Sequence, residues 1–148
     1  PDQLLENLVG MAGRHPNSIC ATRVHKMTYS DGQLNPYKQW VHNYNSRKEQ
    51  ASSDYFFTSG AGTLMPTGIM PQDTFNKEVF KDICFYADDV WLNLQARQAG
   101  IQVFSNNKYD KDEISIGHSQ RVKLVKANVL NGGNDKQIQS VLEYLKAR

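Results

Sequence analysis

Asp88-Asp89-Val90-Trp91-Leu92-Asn93-Leu94-Gln95-Ala96-Arg97-Gln98-Ala99-Gly100-Ile101-Gln102-Val103-Phe104 is the stretch on which the fold turns. It sets a helix and a strand back to back. Asp88 or Asp89 stands where an N-cap belongs, Val90, Trp91, Leu94 and Gln98 share one face, and Gly100 occupies the C-terminal cap position. Ile101 to Phe104 then forms a short apolar strand. A helix that feeds directly into a strand is the repeating device of α/β proteins.

Upstream, residues 2–14 have helical spacing in Leu4, Leu5, Leu8, Val9 and Ala12. Asp2 is placed to cap the first turn, and Gly13 and Pro16 end the helix. Ser18 to Val24 is β-prone and predicts a strand. Ser30-Asp31-Gly32, after Met27-Thr28-Tyr29, predicts a short hairpin. Asn35 to Ser53 is polar and aromatic and predicts a long, partly ordered connection. Asp54 to Thr58 predicts a strand, followed by a glycine loop and a second loop at Pro66, Gly68 and Pro71. Phe75 to Phe85 predicts a short helix with Val79, Phe80 and Ile83 as its apolar positions. Asn106 to Glu113 alternates in charge and predicts an exposed loop. The last helix begins after Gly132-Gly133, capped by Asn134 or Asp135, and buries Ile138, Val141, Leu142 and Leu145. The expectation is an α/β fold with a mixed β-sheet flanked by helices.

The 148 residues suit one domain, and 39% hydrophobic residues suffice for a core. Seventeen basic against fifteen acidic residues leave a net charge of +2, with no electrostatic footprint for nucleic acid. The longest apolar run, Ile83 to Ala87, stops at Asp88, well short of the roughly 20 residues of a membrane span. Pro1-Asp2-Gln3 has no signal-peptide character. Cys20 and Cys84 are expected to be buried thiols in a reducing compartment. A chain that opens at Pro1 and enters a helix at once is expected to be a piece of something longer.

Four groups of residues carry possible chemistry. Asp88 and Asp89, adjacent at a helix start, serve either as caps or as a general base or metal-associated carboxylate. Ser59-Gly60-Ala61-Gly62-Thr63 is either a tight turn or a loop that lets a ligand lie against backbone amides. It lacks the length and the lysine of a P-loop. Of the four histidines, His15, His25 and His42 have no metal-like spacing, whereas His118 follows the charged loop and could complete a metal or phosphate site. Tyr37, Trp40 and Tyr44 either stack on a sugar or pack in the core.

In their order along the chain these segments resemble bacterial glycosyltransferases of the GT-A fold, family 2-like enzymes of surface-polysaccharide assembly. The features that carry the resemblance begin with the Pro1-Asp2 helix start, His15-Pro16 and Ala21-Thr22-Arg23. Asn35-Pro36-Tyr37-x-x-Trp40 and Gly60-x-Gly62-x-Leu64-x-Pro66 follow, and then Ala87-Asp88-Asp89-Val90-Trp91-Leu92, the most specific element. The tail Asn131-x-x-Asn134-Asp135 completes the pattern. The resemblance implies that residues 1–148 form the C-terminal, acceptor-side portion of the catalytic domain, the nucleotide-binding half with its Asp-x-Asp lying upstream.

The resemblance further implies transfer of a sugar from a nucleotide-sugar donor to a glycan or lipid-linked acceptor, with inversion. Asp89 would be the base, Asp88 would orient the acceptor or tune Asp89, and Gly60, Ala61, Gly62 and Thr63 would lie near the donor sugar or the acceptor, with Tyr37 and Trp40 as stacking rings. A divalent metal, Mn or Mg, would belong to the full-length enzyme, with His118 matching a downstream histidine at the metal or diphosphate. The implied location is cytoplasmic, peripheral at the inner membrane face. Two other readings stand beside this one. The first is a non-catalytic carbohydrate-binding or interaction module using residues 37–44. The second is a metal-dependent hydrolase using Asp88, Asp89 and His118.

Overall fold

Side-chain alternation along two strands sorts the core into layers. The computed structural model describes residues 3–45, 50–108, 128 and 132–148. Its elements run α1 (Leu4–Arg14), β1 (Ser18–Ala21), β2 (Val24–Lys26), β3 (Tyr29–Ser30), β4 (Gln33–Leu34), β5 (Gln50–Ser52), β6 (Tyr55–Phe57) and β7 (Thr63–Leu64). There follow α2 (Lys77–Ile83), α3 (Asp88–Gln98), β8 (Gln102–Ser105) and α4 (Gly133–Lys146). Four strands form a mixed sheet in the order β5-β8-β1-β7, in which only the β1–β8 pair is parallel. Ile19 and Ala21 of β1 and Val103 of β8 pack with Ala96 of α3 and Phe57 of β6. Cys20 and Phe104, one step along each strand, meet Leu8 and Met11 of α1 on the opposite face. The sheet is therefore covered by α1 on one side and α3 on the other, which is why its central strands are buried on both faces.

The α3–β8 unit forms as its sequence predicts. Gly100 has a φ of 72°, its N–H donates to Arg97 O, and Ile101 N–H donates to Ala96 O, which is the double bond of a Schellman end. Val90, Trp91 and Leu94 are buried, but Gln98 is exposed, because the buried surface of α3 continues instead through Asn93, Gln95 and Ala96. The hairpin β3–β4 also forms, with Asp31 and Gly32 both at positive φ as a tight two-residue turn requires.

Three expectations change. The strand expected over Ser18 to Val24 breaks at Thr22-Arg23. Thr22 leaves the sheet to hydrogen-bond the 61–62 loop, and Val24 opens β2, which pairs with β6 in a separate ladder. The connection from Asn35 to Ser53 contains a 3₁₀ turn at Tyr37–Gln39 and the edge strand β5. The helix expected over Phe75 to Phe85 is split. A 3₁₀ turn at Gln72–Phe75 precedes α2, and Asn76 Oδ1 caps α2 by accepting from Val79 N–H at 3.3 Å. In α1 the N-cap residue is Gln3; Asp2 lies outside the described residues.

A second core joins α3 to α4 and the polar-aromatic segment through Trp40, Phe56, Trp91, Leu94, Ile138 and Val141. Cys84 lies in this core and Cys20 in the one beneath α1, and both thiols are buried. Gly132, in the left-handed conformation, is the N-cap residue of α4, in place of Asn134 or Asp135. The Asp135 carboxylate instead accepts the backbone N–H of Tyr37 at 2.7 Å, tying α4 to the 37–39 turn. Among the described residues no helix is long and apolar enough to cross a membrane.

Candidate functional site

Asp88 and Asp89 occupy the first turn of α3, where negative charge is favoured by the helix dipole, yet neither caps it. Ala87 is the N-cap residue and no side chain closes the turn. Asp89 reaches sideways to Ser59, the second residue beyond the end of β6. Its Oδ1 accepts two hydrogen bonds from Ser59, one from the backbone N–H at 3.2 Å and one from the hydroxyl at 2.5 Å. Oδ2 has no hydrogen-bond partner among the described residues. Burial pushes the Asp89 carboxyl above the ordinary carboxylate range. The two Ser59 donors oppose that shift, Asp88 adds to it and Arg23 opposes it. The result is a half-buried carboxylate with one oxygen anchored and one available.

One turn later Asn93 fixes α3 to β6. Phe57 N–H donates to Asn93 Oδ1 at 2.9 Å, and Asn93 Nδ2 donates to Phe57 O at 3.0 Å and to Asp89 O at 2.8 Å. Asn93 thus supplies to Phe57 the donor and acceptor that a neighbouring strand would otherwise supply, and it is buried while doing so. Thr58, the residue before Ser59, is held from the other side, because Arg23 Nε donates to its Oγ1 at 2.7 Å. The Asp89–Ser59 pair therefore rests on α3 and β6, two elements already locked together.

The two aspartates diverge. Asp88 is exposed and lines a hollow with Thr74, Phe75 and Phe80, on the α2 side of α3. The glycine loop is a single 3₁₀ turn, Ser59–Ala61, followed by β7. Gly62 has a φ of 109°, and a Cβ there would come within 3.2 Å of Leu4 and 3.5 Å of Leu8. What its missing side chain admits is helix α1, not a ligand. Gly60 is exposed with open space around it, and Ala61 is buried. Thr63 has a buried hydroxyl without a hydrogen-bond partner among the described residues.

Thr22 positions this loop. Its Oγ1 donates to Ala61 O at 2.6 Å, and its N–H donates to Gly62 O at 3.1 Å. Thr22→Val keeps the volume and removes the hydroxyl, leaving the buried Ala61 carbonyl without its donor. The expected cost is about 1–3 kcal/mol, read as a lower urea midpoint at unchanged slope. An unchanged midpoint would show that the loop does not depend on Thr22.

Tyr37 and Trp40, the expected stacking rings, are only 8% and 4% exposed and pack edge to face against Phe56 in the core. Asp89 nevertheless acts on Tyr37, whose phenol is pushed up to about 12, by burial first and by that carboxylate second. His25 and His42 sit beside Tyr37. His42 Nε2 lies 3.0 Å from Tyr37 O, and His25 Nδ1 accepts Asn43 N–H at 3.0 Å. Burial, then His42 and Arg23, hold the His25 imidazole down at about 4.

The folded state thus keeps His25 neutral where the unfolded chain, near 6.5, already takes a proton. Stability should fall as the pH drops from about 6.5 through 4, by about 1–3 kcal/mol in total. His25→Gln should flatten that slope in urea titrations at several pH values. His15 stacks on Phe104 with ring centres 3.5 Å apart, a packing role. His118 lies outside the described residues. Among the described residues no group of three or more His, Cys, Asp or Glu is arranged to hold a metal ion.

The structure joins the Asp89 carboxylate to Ser59 and Arg23 to the neighbouring Thr58, turns Asp88 to the α2 side of α3, and packs Tyr37 and Trp40 together in the core. Asn93 escapes a reading by motif, and Arg23 enters one only as part of Ala21-Thr22-Arg23, with no role attached. Asn93 had one signal, its place on α3 four residues after Asp89, one turn along the same face. Comparison with known proteins finds no family model, no curated protein and no solved structure that matches the chain.

Proposed function

We propose that the chain is the acceptor-side part of an inverting glycosyltransferase that moves a sugar from a nucleotide-sugar donor to a glycan or lipid-linked acceptor, with Asp89 as general base. The observation that carries the reading is the Asp89 carboxylate, anchored through Oδ1 on Ser59 with Oδ2 unoccupied, in the motif that bears the resemblance. An acceptor hydroxyl placed against Oδ2 loses its proton to that oxygen as its own oxygen bonds to the anomeric carbon. The bond from that carbon to the nucleoside diphosphate breaks, and the diphosphate leaves with the electron pair. Partial burial raises the basicity of Asp89 toward what a general base needs near neutral pH, and anchoring spares it reorientation.

A divalent metal would offset charge on the leaving diphosphate. The described residues form no donor set for it, so no step is derived through it. The same reading makes these 148 residues poor at holding the donor alone. Calorimetry with UDP-sugars and Mn²⁺ should show no micromolar binding by the isolated chain, and micromolar binding would contradict the assignment to the acceptor side. A carbohydrate-binding module built on residues 37–44 draws no support from buried Tyr37 and Trp40. A metal hydrolase draws none from carboxylates that diverge.

A further inference from the structure

The two hydrogen bonds between Ser59 and Asp89 are unequal. The hydroxyl lies 2.5 Å from Oδ1, at the short separation of a charge-assisted O–H···O⁻ bond, whereas the backbone N–H lies 3.2 Å from the same oxygen. An ionised carboxylate has no proton to give, so the hydroxyl is the donor. Ser59 is itself fixed by the turn it opens. Gly62 N–H donates to Ser59 O at 3.0 Å, Thr22 Oγ1 holds Ala61 O, and Arg23 holds Thr58 on the other flank. The hydroxyl therefore reaches Asp89 from a loop whose own backbone bonds are already made, and both donors of one residue converge on one oxygen.

We propose that Ser59 is the positioning residue of this site: by filling Oδ1 with both of its donors, it reserves Oδ2 for the incoming proton. This role rests on the reading of Asp89 as general base and divides the work between its two oxygens. A proton on Oδ1 would point at two donors and displace them, leaving the Ser59 hydroxyl and N–H without their acceptor. A proton on Oδ2 displaces no hydrogen bond among the described residues. Asp89 can thus take up a proton and release it without turning its carboxylate. The same hydroxyl keeps that carboxylate charged, because burial favours the neutral acid and a donor that prefers the ionised form opposes it. Alanine at position 59 retains the backbone donor and loses the shorter bond, and threonine retains both.

The test is a carboxyl-carbon NMR titration of the 148-residue chain, of Ser59→Ala and of Ser59→Thr. In Ser59→Ala, Asp89 should bind its proton about tenfold more tightly, the lower end of what a hydrogen bond to a charged group contributes, so its midpoint moves to higher pH. Ser59→Thr should titrate with the parent. Ser59 is exposed, so alanine leaves no cavity. Asp73, whose carboxylate is held by Gln95, Tyr144 and Arg148, is the internal reference and should titrate alike in all three proteins. A disturbed fold would move both signals, and a lost positioning donor moves Asp89 alone. In the parent, the Ser59 amide should stay protected from solvent exchange below the Asp89 midpoint, because the neutral carboxyl still accepts through Oδ1.

An Asp89 midpoint unchanged in Ser59→Ala, one displaced as far in Ser59→Thr, or a Ser59 amide that loses protection when Asp89 is protonated would overturn the role of Ser59. Its fate is separable from that of the base. An Asp89 titration governed by the Ser59 hydroxyl, with normal transfer by Asp89→Asn, would keep the positioning of the carboxylate and remove the base. Transfer abolished by Asp89→Asn, with an Asp89 midpoint indifferent to Ser59, would do the reverse.

Discussion

Asp89→Asn is expected to lower sugar transfer about 10²–10⁴-fold, the range that a general base contributes, and at the same time to raise stability at neutral pH. The amide retains an oxygen to accept the N–H and hydroxyl of Ser59, so the helix start stays in register with the loop. It loses the one property the proposed reaction would use, a basic second oxygen. The stability gain follows from the direction of the shift. Burial raises the carboxyl in the folded state, so the folded protein favours the protonated form and ionisation at neutral pH works against folding. Asn removes that cost, and its advantage should shrink as the pH falls toward about 4 and be gone below it, where the folded and unfolded chains are both protonated. Transfer is measured in a polypeptide that joins this chain to a donor-binding half, and stability by thermal melts across pH. Transfer within about threefold of the parent would eliminate Asp89 as base.

Asn93→Ala is expected to produce the largest loss of stability. It strips the donor and the acceptor from Phe57 and a third bond from Asp89 O, all in buried or half-buried surroundings. Two orphaned backbone groups at about 1–3 kcal/mol each put the loss near 2–6 kcal/mol, a drop of roughly 5–20 °C in melting temperature for a chain of this size. Asn93→Leu, which restores volume but no hydrogen bonds, should be nearly as damaging. If Leu recovered the parent's melting temperature, packing rather than the amide would be what joins α3 to β6. Because Asn93 also holds Asp89 O, a melted contact would loosen the base as well.

Local signals were legible where the determinants are local. The spacing of Val90, Trp91 and Leu94, with Gly100 behind them, predicts α3 and its end, and the double hydrogen bond at Gly100 realises it. Asp31-Gly32 likewise predicts its own turn. Ser18 to Val24 is β-prone throughout, but the strand stops where Thr22 finds a partner 39 residues away, and no propensity encodes that. The aspartate pair looked like a cap because a cap is the nearest source of N–H donors. Ser59, 30 residues upstream at the start of the turn after β6, supplied better ones. Tyr37 and Trp40 had the composition of a sugar platform, yet whether an aromatic ring faces water depends on what lies over it. Here α3 and α4 join them in a shared core.

Gly60 follows Ser59, is exposed, and has none of the described residues within 4 Å of where a Cβ would stand, whereas Gly62 is confined by Leu4 and Leu8. Both native thiols are fully buried. A cysteine introduced at position 60 would therefore be the accessible target for a maleimide dye, placing a fluorescent reporter one residue from the serine that grips Asp89. Arrival of a ligand at the carboxylate then becomes something to watch in real time, before any product has to be identified.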